Sequence, residues 1–218
     1  MADSFSRKIE RFGLGLPAAT ITRLELFLDE LLRWNRRVNL TSICNRDEAL
    51  EKHLLDSLAL LHYQPLVGRL LDMGSGGGLP GIPLAIACSD LQVTSVDSVG
   101  KKINFQKHIK RLLSLSNLEP VHARLEALEA VLLNLESYDF AVARALTSFE
   151  KLTVFAAPWL REGGKLLVMK GPEGETELKA YQTDSDRKFY HIDTVHHYRL
   201  PLSNSARQLI ILSRTASK

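Results

Sequence analysis

A glycine-rich turn near residue 74 is the segment of this chain best suited to binding a small molecule. The apolar pair Leu70–Leu71 precedes it, Gly74, Gly76 and Gly78 form it, and a helix-compatible segment follows. Glycines at alternate positions permit positive φ angles and let the backbone approach a ligand that any Cβ would exclude. An NAD fingerprint would need a glycine where Leu79 stands, and no Lys-Ser/Thr pair follows as in a P-loop. The pattern predicts a nucleotide-type binding loop, with an ordinary tight turn as the alternative.

A second predicted strand supplies a carboxylate where such a site needs one. The strand ends at Asp97, about 20 residues after the glycine loop, a distance typical of dinucleotide sites. In a βαβ unit, the carboxyl end of the second strand lies beside the loop, so a carboxylate there can accept hydrogen bonds from ribose hydroxyls. The alternative role for Asp97 is to stabilise the N-terminus of the following helix through its macrodipole.

The composition indicates a globular protein with one full-sized core and a small appendage. The chain has 218 residues, of which 45% are hydrophobic and 24% charged, and a formal net charge of +3. Its apolar stretches fall short of the roughly 18 residues of a membrane helix, and the N-terminus has no apolar signal region. We therefore expect a cytoplasmic protein with no membrane partner.

Cysteines and histidines give no sign of a metal site. Both cysteines stand alone, without Cys-x-x-Cys spacing, which also argues against a disulfide framework. The adjacent His196 and His197 fall on a predicted strand and point to opposite faces. His53 and Asp56 share a helix face, but an ordinary polar face explains them equally well. We therefore expect no metal.

Two amphipathic patterns precede the glycine loop. The first predicts a helix that buries one stripe of residues, namely Leu24, Phe27, Leu28, Leu31 and Leu32. A second helix is predicted to begin at Asn45, with Glu48 in a capping-box arrangement, and to bury Leu50, Leu54, Leu58 and Leu61. These patterns predict an N-terminal helical cap, residues 1–65, ahead of a core domain, residues 66–218.

The core domain alternates between strand-like and helical patterns. Strands are predicted at 69–73, 92–97, 119–122, 138–143, 164–170, 191–198 and 207–213. Helical stretches separate most of the first five, which predicts an α/β fold with a mainly parallel seven-stranded sheet and helices on both faces. The last two strands are predicted to form a hairpin, after a mobile loop or short helix in residues 172–186. Ligands of such a sheet bind at the carboxyl ends of its strands.

Arg144 follows the fourth predicted strand, at the edge of the sheet where ligands bind. Its planar guanidinium can grip a guanine edge or a cofactor carboxylate with two parallel hydrogen bonds. The alternative is an ion pair with a nearby Asp or Glu at the rim of the sheet. We predict that Arg144 takes part in catalysis and contacts the cofactor.

The segment Lys101–Arg111 is strongly basic, with five cations and no acid. A helix beginning near Ser98 would place Lys101 close to Asp97 and would bury Phe105, Ile109, Leu112 and Leu113. Its opposite face would then carry Lys107, Lys110 and Arg111. That face is interpreted either as a surface for RNA or as an ordinary solvated face.

The loop Asp72-Met73-Gly74-Ser75-Gly76-Gly77-Gly78 resembles the acidic-x-Gly-x-Gly-x-Gly loop of S-adenosylmethionine (SAM) methyltransferases. Over roughly residues 20–214, the chain is similar to the RsmG (GidB) family, the bacterial 16S ribosomal RNA guanine-N7 methyltransferases. The other segments that carry the resemblance are Trp34-Asn35, Asn39-Leu40-Thr41, His53-Leu54-Leu55-Asp56-Ser57, Leu79-Pro80-Gly81-Ile82-Pro83, Asp97-Ser98-Val99-Gly100-Lys101-Lys102, Arg124-Leu125-Glu126, Ala143-Arg144-Ala145 and Lys170-Gly171.

This resemblance implies a Rossmann-like SAM-dependent methyltransferase fold with SAM as cofactor. The implied cofactor-binding residues, together with those predicted above, are Gly74, Gly76, Gly78, Leu79, Asp97, Leu125, Glu126 and Arg144. Leu125 and Glu126 would lie at the adenosine end, and Arg144 beside the reacting centre. The implied partner is 16S ribosomal RNA in the small ribosomal subunit, and our working expectation is a monomer.

The residues after the fourth strand exclude two classes of methyl-group acceptor. Enzymes that methylate exocyclic amines of adenine or cytosine resemble one another in carrying an acidic or Asn residue, two prolines and an aromatic here, where this chain reads Ala143-Arg144-Ala145-Leu146. Cytosine-C5 enzymes need a nucleophilic Cys, and neither Cys44 nor Cys88 falls beside this strand. An acceptor with a free lone pair, such as guanine N7, remains. Two alternatives stay open: a small-molecule N- or O-methyltransferase, and a non-catalytic ribosome-assembly factor with a SAM-binding fold.

Overall fold

The computed structural model of the chain describes residues 5–132, 137–144, 146–182 and 190–215. Before the sheet come α1 (Phe5–Arg11), α2 (Ala18–Val38), α3 (Arg46–Ala49), a π-helical turn (Leu50–Leu55), α4 (Asp56–Leu58) and α5 (Leu60–Tyr63). The strands are β1 (Gly68–Met73), β2 (Leu91–Asp97), β3 (Leu118–His122), β4 (Tyr138–Arg144), β5 (Leu160–Lys170), β6 (Tyr190–Arg199) and β7 (Ala206–Arg214). The remaining helices are α6 (Gly81–Ala87), α7 (Gly100–Leu112), a 3-10 helix (Leu125–Ala130), α8 (Phe149–Ala156) and α9 (Gly174–Gln182).

The seven strands form one sheet in the order β3-β2-β1-β4-β5-β7-β6. Strands β1 to β5 pair in parallel, and β7 pairs antiparallel with both β5 and β6. The predicted mainly parallel sheet and its closing hairpin are therefore confirmed. The chain leaves β1 towards β2 and β3, and returns to β4 on the other side of β1. This reversal places a crevice at the carboxyl ends of β1 and β4, where sheets of this kind bind ligands.

The cap helices form because their apolar residues repeat with helical spacing. In α2 the buried stripe consists of Ile21, Leu24, Phe27, Leu28 and Leu31. The side chain of Asn45 accepts a 3.0 Å hydrogen bond from Glu48 N–H, which caps α3 as the sequence predicts. The chain then stays helical through most of the segment to Tyr63, with Leu50, Leu54 and Leu58 buried and Leu61 only partly so.

Apolar side chains cover both faces of the sheet. One cluster joins Phe27 and Leu54 of the cap to Leu70 of β1 and Phe105 of α7. The other lies between the sheet and helices α8 and α9. Because the first cluster contains residues from both sides of position 65, the cap packs continuously onto the sheet. The division into a cap, 1–65, and a core, 66–218, stays a prediction.

Three details differ from the sequence-based expectations. Strand β5 begins at Leu160, four residues early, and its pairing with β4 shifts register between Tyr138 and Phe140. Leu112 is 44% exposed, because α7 ends there and the chain turns through Ser114 at a φ of +48°. Part of the segment 172–186 forms helix α9, and residues 183–189 lie outside the described residues.

Candidate functional site

The loop after β1 takes the left-handed backbone conformations that its glycines allow. The φ angle is +69° at Gly74, +58° at Gly76 and +82° at Gly78. A Cβ at Gly74 would collide with the side chain of Leu146, and one at Gly78 would collide with that of Ile82. A Cβ at Gly76 would meet no described heavy atom within 4 Å. The loop is therefore tightly packed at Gly74 and Gly78 and borders open space at Gly76.

Asp97 ends β2 directly beside this loop. Its Oδ2 accepts a 2.8 Å hydrogen bond from Gly76 N–H, and its Oδ1 accepts one of 2.8 Å from Val99 N–H. Lys102 Nζ lies 4.0 Å from Oδ2, whereas the expected neighbour, Lys101, is exposed. The backbone thus fixes the carboxylate, and each oxygen keeps a further lone pair for a ligand.

A cavity of about 280 Å³, which we call the loop cavity, opens where β1, β2 and β4 end. Four of the predicted cofactor residues line it together: Gly74, Asp97, Leu125 and Glu126. Leu146, Thr147 and Phe155 complete its wall on the β4 side. The other predicted residues of the loop do not line it: Gly76 holds Asp97, Gly78 lies against Ile82, and Leu79 is buried in the cluster that contains Phe27 and Leu54 of the cap.

Two buried polar residues hold the loop in place and were not predicted as site residues. Gln106 of α7 donates hydrogen bonds of 2.8 Å to both Ser75 Oγ and Gly76 O. Asp72 Oδ2 accepts one of 2.9 Å from Gly81 N–H, and burial raises the pKa of Asp72 to about 7. Both left a signal in the sequence: Asp72 is the acid of the loop motif, and Gln106 lies midway between two buried isoleucines of α7.

Arg144 does not line the loop cavity but a neighbouring one of about 380 Å³ between the cap and the ends of β4 and β5. This cap cleft is lined by Ile43, Lys52, His53, Asp56, Arg144, Met169, Lys170, Gly171 and Arg207. Lys170 Nζ donates a 3.1 Å hydrogen bond to the carbonyl oxygen of Thr147, which lines the loop cavity. The two cavities are therefore adjacent, on either side of the residues that follow β4.

The π-helical turn of the cap anchors Arg144. The backbone N–H of Asp56 donates to Glu51 O and His53 O, which leaves Lys52 O available for a side chain. Arg144 Nη1 donates a 2.9 Å hydrogen bond to Lys52 O and lies 3.6 Å from Asp56 Oδ2. The ion pair considered as an alternative is thus present, while the contact of Arg144 with the cofactor stays a prediction.

His53 and Asp56 are buried in the cap cleft, so they do not form a solvated polar face. The cap packs that face against β4 and the β6–β7 hairpin, a long-range contact with no local signal. His53 Nε2 lies 2.9 Å from Thr41 Oγ1, and burial lowers the pKa of His53 to about 4. Asp56 Oδ1 accepts a 2.9 Å hydrogen bond from Tyr198 OH.

The residues of the loop cavity fit the chemical groups of SAM. Asp97 offers a fixed carboxylate for ribose hydroxyls, and Leu125 and Phe155 offer apolar contacts for a flat purine. At Gly76 a side chain would fill the open space that the bare backbone leaves.

Comparison with solved structures gives the class of the fold. A SAM-dependent methyltransferase from Aquifex aeolicus is similar to this chain with a TM-score of 0.56 and 16% identity, over 78% of this chain and 93% of that one. The fold is that of the SAM-dependent methyltransferases, as the sequence resemblance implied.

Sequence comparison then gives the family. Residues 20–210 match the family described as rRNA small subunit methyltransferase G (GidB). A ribosomal RNA small subunit methyltransferase G from Syntrophotalea carbinolica is 45% identical over 98% of each chain. Another, from Geobacter sp. (strain M21), is 40% identical over 93% of this chain and 92% of its own. The chain belongs to the GidB family.

Membrane and metal features were searched in the described part of the chain. None of its helices is long and apolar enough to cross a membrane. No group of three or more His, Cys, Asp or Glu residues in that part is placed to hold a metal ion.

Proposed function

We propose that the protein transfers a methyl group from SAM to N7 of a guanine in the 16S ribosomal RNA of the small ribosomal subunit. The observation that carries this proposal is the adjacency of the loop cavity and the cap cleft on either side of the residues after β4. One cavity offers the groups that a nucleoside cofactor needs, and the other is lined by four cations that suit an RNA. The names of the relatives, ribosomal RNA small subunit methyltransferase G, support small-subunit ribosomal RNA as the substrate.

The loop cavity would hold the cofactor. SAM supplies, when bound, a methyl group on a positively charged sulfur. Asp97 would accept hydrogen bonds from its ribose, and Leu125 and Glu126 would lie at its adenosine end. The glycine loop would let the backbone come into contact with it, and Gln106 and Asp72 would keep that loop in shape.

The acceptor would enter the cap cleft, where the chemistry requires no base. Guanine N7 carries a free lone pair, so no proton has to leave before the attack. His53, whose pKa burial lowers to about 4, stays neutral near pH 7. The cleft therefore has to position the guanine in line with the methyl group and to stabilise the charge that develops.

Arg144 would act on this chemical step more than on cofactor capture. Its guanidinium donates a hydrogen bond to Lys52 O and lies 3.6 Å from Asp56 Oδ2. A lysine ammonium lacks the planar, forked geometry needed to contact both groups. We expect Arg144→Ala to lower the single-turnover rate roughly a hundredfold or more, with a smaller change in SAM affinity. We expect Arg144→Lys to be equally slow. A near-normal rate in Arg144→Lys would show that the reaction does not need the two-pronged contact of the guanidinium.

The proposed setting is the cytoplasm, where small subunits are assembled, and the proposed active form is a monomer that needs no metal. Gel filtration with light scattering of the active protein checks whether it is a monomer. Methylation assays with and without a chelator check the need for a metal, and the rate should be unchanged.

One experiment separates this function from its alternatives. Labelled SAM is added with the protein to undermethylated small subunits, to naked ribosomal RNA and to a metabolite pool, and the labelled product is digested to nucleosides. The proposal expects N7-methylguanosine from the 16S ribosomal RNA. Label in a metabolite would instead indicate a small-molecule methyltransferase, and SAM binding without transfer would indicate an assembly factor.

A further inference from the structure

The cap cleft contains one carboxylate to which no role has yet been given. Among the described residues that line the cleft, Asp56 is the one acid, and two of the four lining cations, Arg144 and Arg207, lie beside it. The other two, Lys52 and Lys170, form 2.7 Å ion pairs with Glu48 and Glu177. Its side chain is only 7% exposed. Burying a carboxylate costs free energy of folding unless hydrogen bonds or cations compensate its charge.

The partners of Asp56 leave part of its carboxylate free. Tyr198 OH donates a 2.9 Å hydrogen bond to Oδ1. Arg207 Nε lies 3.5 Å from Oδ1, and Arg144 Nη1 lies 3.6 Å from Oδ2. Charge-assisted hydrogen bonds between such groups are about 2.7–2.9 Å long, so both guanidinium groups stand back from the acid. Asp56 thus keeps acceptor capacity at both oxygens, since Oδ1 has a lone pair beyond the one that Tyr198 uses and Oδ2 lies 3.6 Å from Arg144 Nη1.

Guanine has the complementary pattern. Its Watson–Crick edge presents two adjacent donors, N1–H and the 2-amino group, which one carboxylate can accept together, whereas adenine has an acceptor at N1. Methyl transfer to N7 also leaves the purine positively charged. An anion on the opposite edge stabilises this charge as it develops, which is the arrangement that lowers a barrier.

We propose that Asp56 accepts hydrogen bonds from N1–H and the 2-amino group of the acceptor guanine, and that Arg144 is a positioning residue that orients Asp56 and the π-helical turn. The inference rests on the proposed function, because it names how the same site holds its acceptor. In the transfer, the N7 lone pair forms the new N–C bond while the C–S bond breaks and its electron pair returns to sulfur. No proton moves in this step.

Three variants separate the charge of Asp56 from its structural hydrogen bond. Asp56→Asn keeps the size and can still accept from Tyr198, but it loses the charge. Tyr198→Phe removes that hydrogen bond and keeps the charge, and Asp193→Asn removes an exposed acid from the edge strand as a matched control. Single-turnover methylation of small subunits should slow about a hundredfold or more in Asp56→Asn, and less than about tenfold in Tyr198→Phe. The RNA concentration for half-saturation and the SAM affinity should stay within about threefold in each variant.

A base analogue tests the contact itself. The methylated guanine is mapped in the wild-type product and replaced by inosine, which lacks the 2-amino group, in reconstituted small subunits. Wild type should methylate the inosine subunits about tenfold more slowly, the loss expected for one hydrogen bond to a charged group. Asp56→Asn should show no further loss on inosine, because the partner of the 2-amino group is already gone. An equal penalty in both proteins overturns the contact.

The outcomes distinguish this inference from the proposed function. If wild type forms no N7-methylguanosine, the proposed function fails, whatever the variants do. If wild type forms it and Asp56→Asn keeps a rate within about threefold, only the role of Asp56 is overturned. Thermal melting checks that Asp56→Asn is folded at the assay temperature. If it is not, the wild-type comparison of guanine with inosine decides alone, and an unchanged rate on inosine overturns the inference.

Discussion

The loop cavity and the cap cleft lie side by side but are built in different ways. In the loop cavity, Asp97 is held by two backbone N–H groups at 2.8 Å, all within a single βαβ unit. In the cap cleft, Asp56, Arg144 and Arg207 come from three distant segments, with guanidinium–carboxylate distances of 3.6 and 3.5 Å. The first site is preorganised by local structure, and the second depends on how the cap, β4 and the hairpin pack together. Cofactor capture and acceptor recognition should therefore respond to different changes.

A buried carboxylate ties these distant segments together. Glu51 of the π-helical turn accepts a 2.7 Å hydrogen bond from Ser203 N–H and another from Leu202 N–H, both in the β6–β7 turn. The hairpin carries Tyr198 and Arg207, so this contact keeps both residues beside Asp56. The cap cleft is thus an assembly of three parts, whereas the contacts that fix Asp97 in the loop cavity all lie within one βαβ unit.

The largest expected effect is an opposite response of the two regions to pH. Burial raises the pKa of Asp72 beneath the loop from 3.8 to about 7, and burial lowers the pKa of His53 in the cap cleft from 6.5 to about 4. Folded Asp72 holds its proton more tightly than the unfolded chain, so its contribution to the free energy of unfolding falls as pH rises from 4 to 7. His53 does the reverse, and the stability that it contributes above pH 6.5 is lost as pH falls towards 4.

Asp72→Asn and His53→Gln isolate these two contributions. Between pH 4 and 7, the free energy of unfolding of Asp72→Asn should rise relative to wild type by up to about 4 kcal/mol. That of His53→Gln should fall relative to wild type by up to about 3 kcal/mol over the same range. Urea denaturation at several pH values measures both differences. Differences of the same sign, or independent of pH, would contradict the contrast between the regions.

The second prediction concerns cofactor capture alone. Asp97→Ala should weaken SAM binding by about 1.5–3 kcal/mol, the range for hydrogen bonds to a charged group, as measured by calorimetry. Asp56→Asn in the cap cleft and Asp193→Ala at the edge strand should leave SAM affinity unchanged. Wild-type SAM affinity in Asp97→Ala would show that Asp97 does not bind the cofactor. Weakened SAM binding in Asp56→Asn would show that the cap cleft also contributes to cofactor binding.

The same contrast explains what the sequence could predict. The βαβ unit, its glycine loop and Asp97 follow from local periodicity and spacing, and they lie together as such units do. The seven strands were placed for the same reason, since alternation and turn residues are local signals. The sequence could not distinguish a solvated polar face from a buried site at His53 and Asp56, because the hairpin residue that contacts Asp56, Tyr198, lies 142 residues later. The π-helical turn, which releases Lys52 O for Arg144, likewise has no signal in the pattern of apolar residues.

The third prediction uses two glycines with the same backbone and different surroundings. Gly76 and Gly15 have φ angles of +58° and +59°, and a Cβ at either would meet nothing within 4 Å among the described residues. Gly76→Ala and Gly15→Ala should each lower the free energy of unfolding by about 1–2 kcal/mol, the cost of a left-handed residue with a Cβ. Only Gly76→Ala should also lose SAM affinity, because Gly76 N–H is bonded to Asp97 and the new methyl group would enter the open space at this position of the loop.

Gly76 is a sharper position for this test than Gly74. A side chain at Gly74 would collide with Leu146 and disturb the protein itself, whereas one at Gly76 would meet no described heavy atom within 4 Å. Equal SAM affinities in Gly76→Ala and Gly15→Ala would show that the open space at Gly76 is not used by a ligand.

The smallest expected effect concerns the basic face of α7. It tests whether the RNA binds at α7 or at the cap. Lys107 and Arg111 are exposed, whereas Lys110 forms a 2.6 Å ion pair with Glu119, so two cations of the three stay available. If they bind phosphates, the double variant Lys107→Gln, Arg111→Gln should reduce the salt dependence of RNA affinity by up to about two units of slope. SAM affinity should not change.

A matched surface lies next to this face. Trp34 of α2 packs against His108 of α7, with ring centroids 5.1 Å apart, and the exposed Arg36 and Arg37 follow on the same cap helix. Arg36→Gln, Arg37→Gln removes the same charge from the cap. A flatter salt slope in the α7 variant alone would place RNA beside the helix that leads away from Asp97. A flatter slope in the cap variant alone would show α7 to be a solvated face and would bring the RNA to the cap, the same element that supplies Asp56 to the cap cleft.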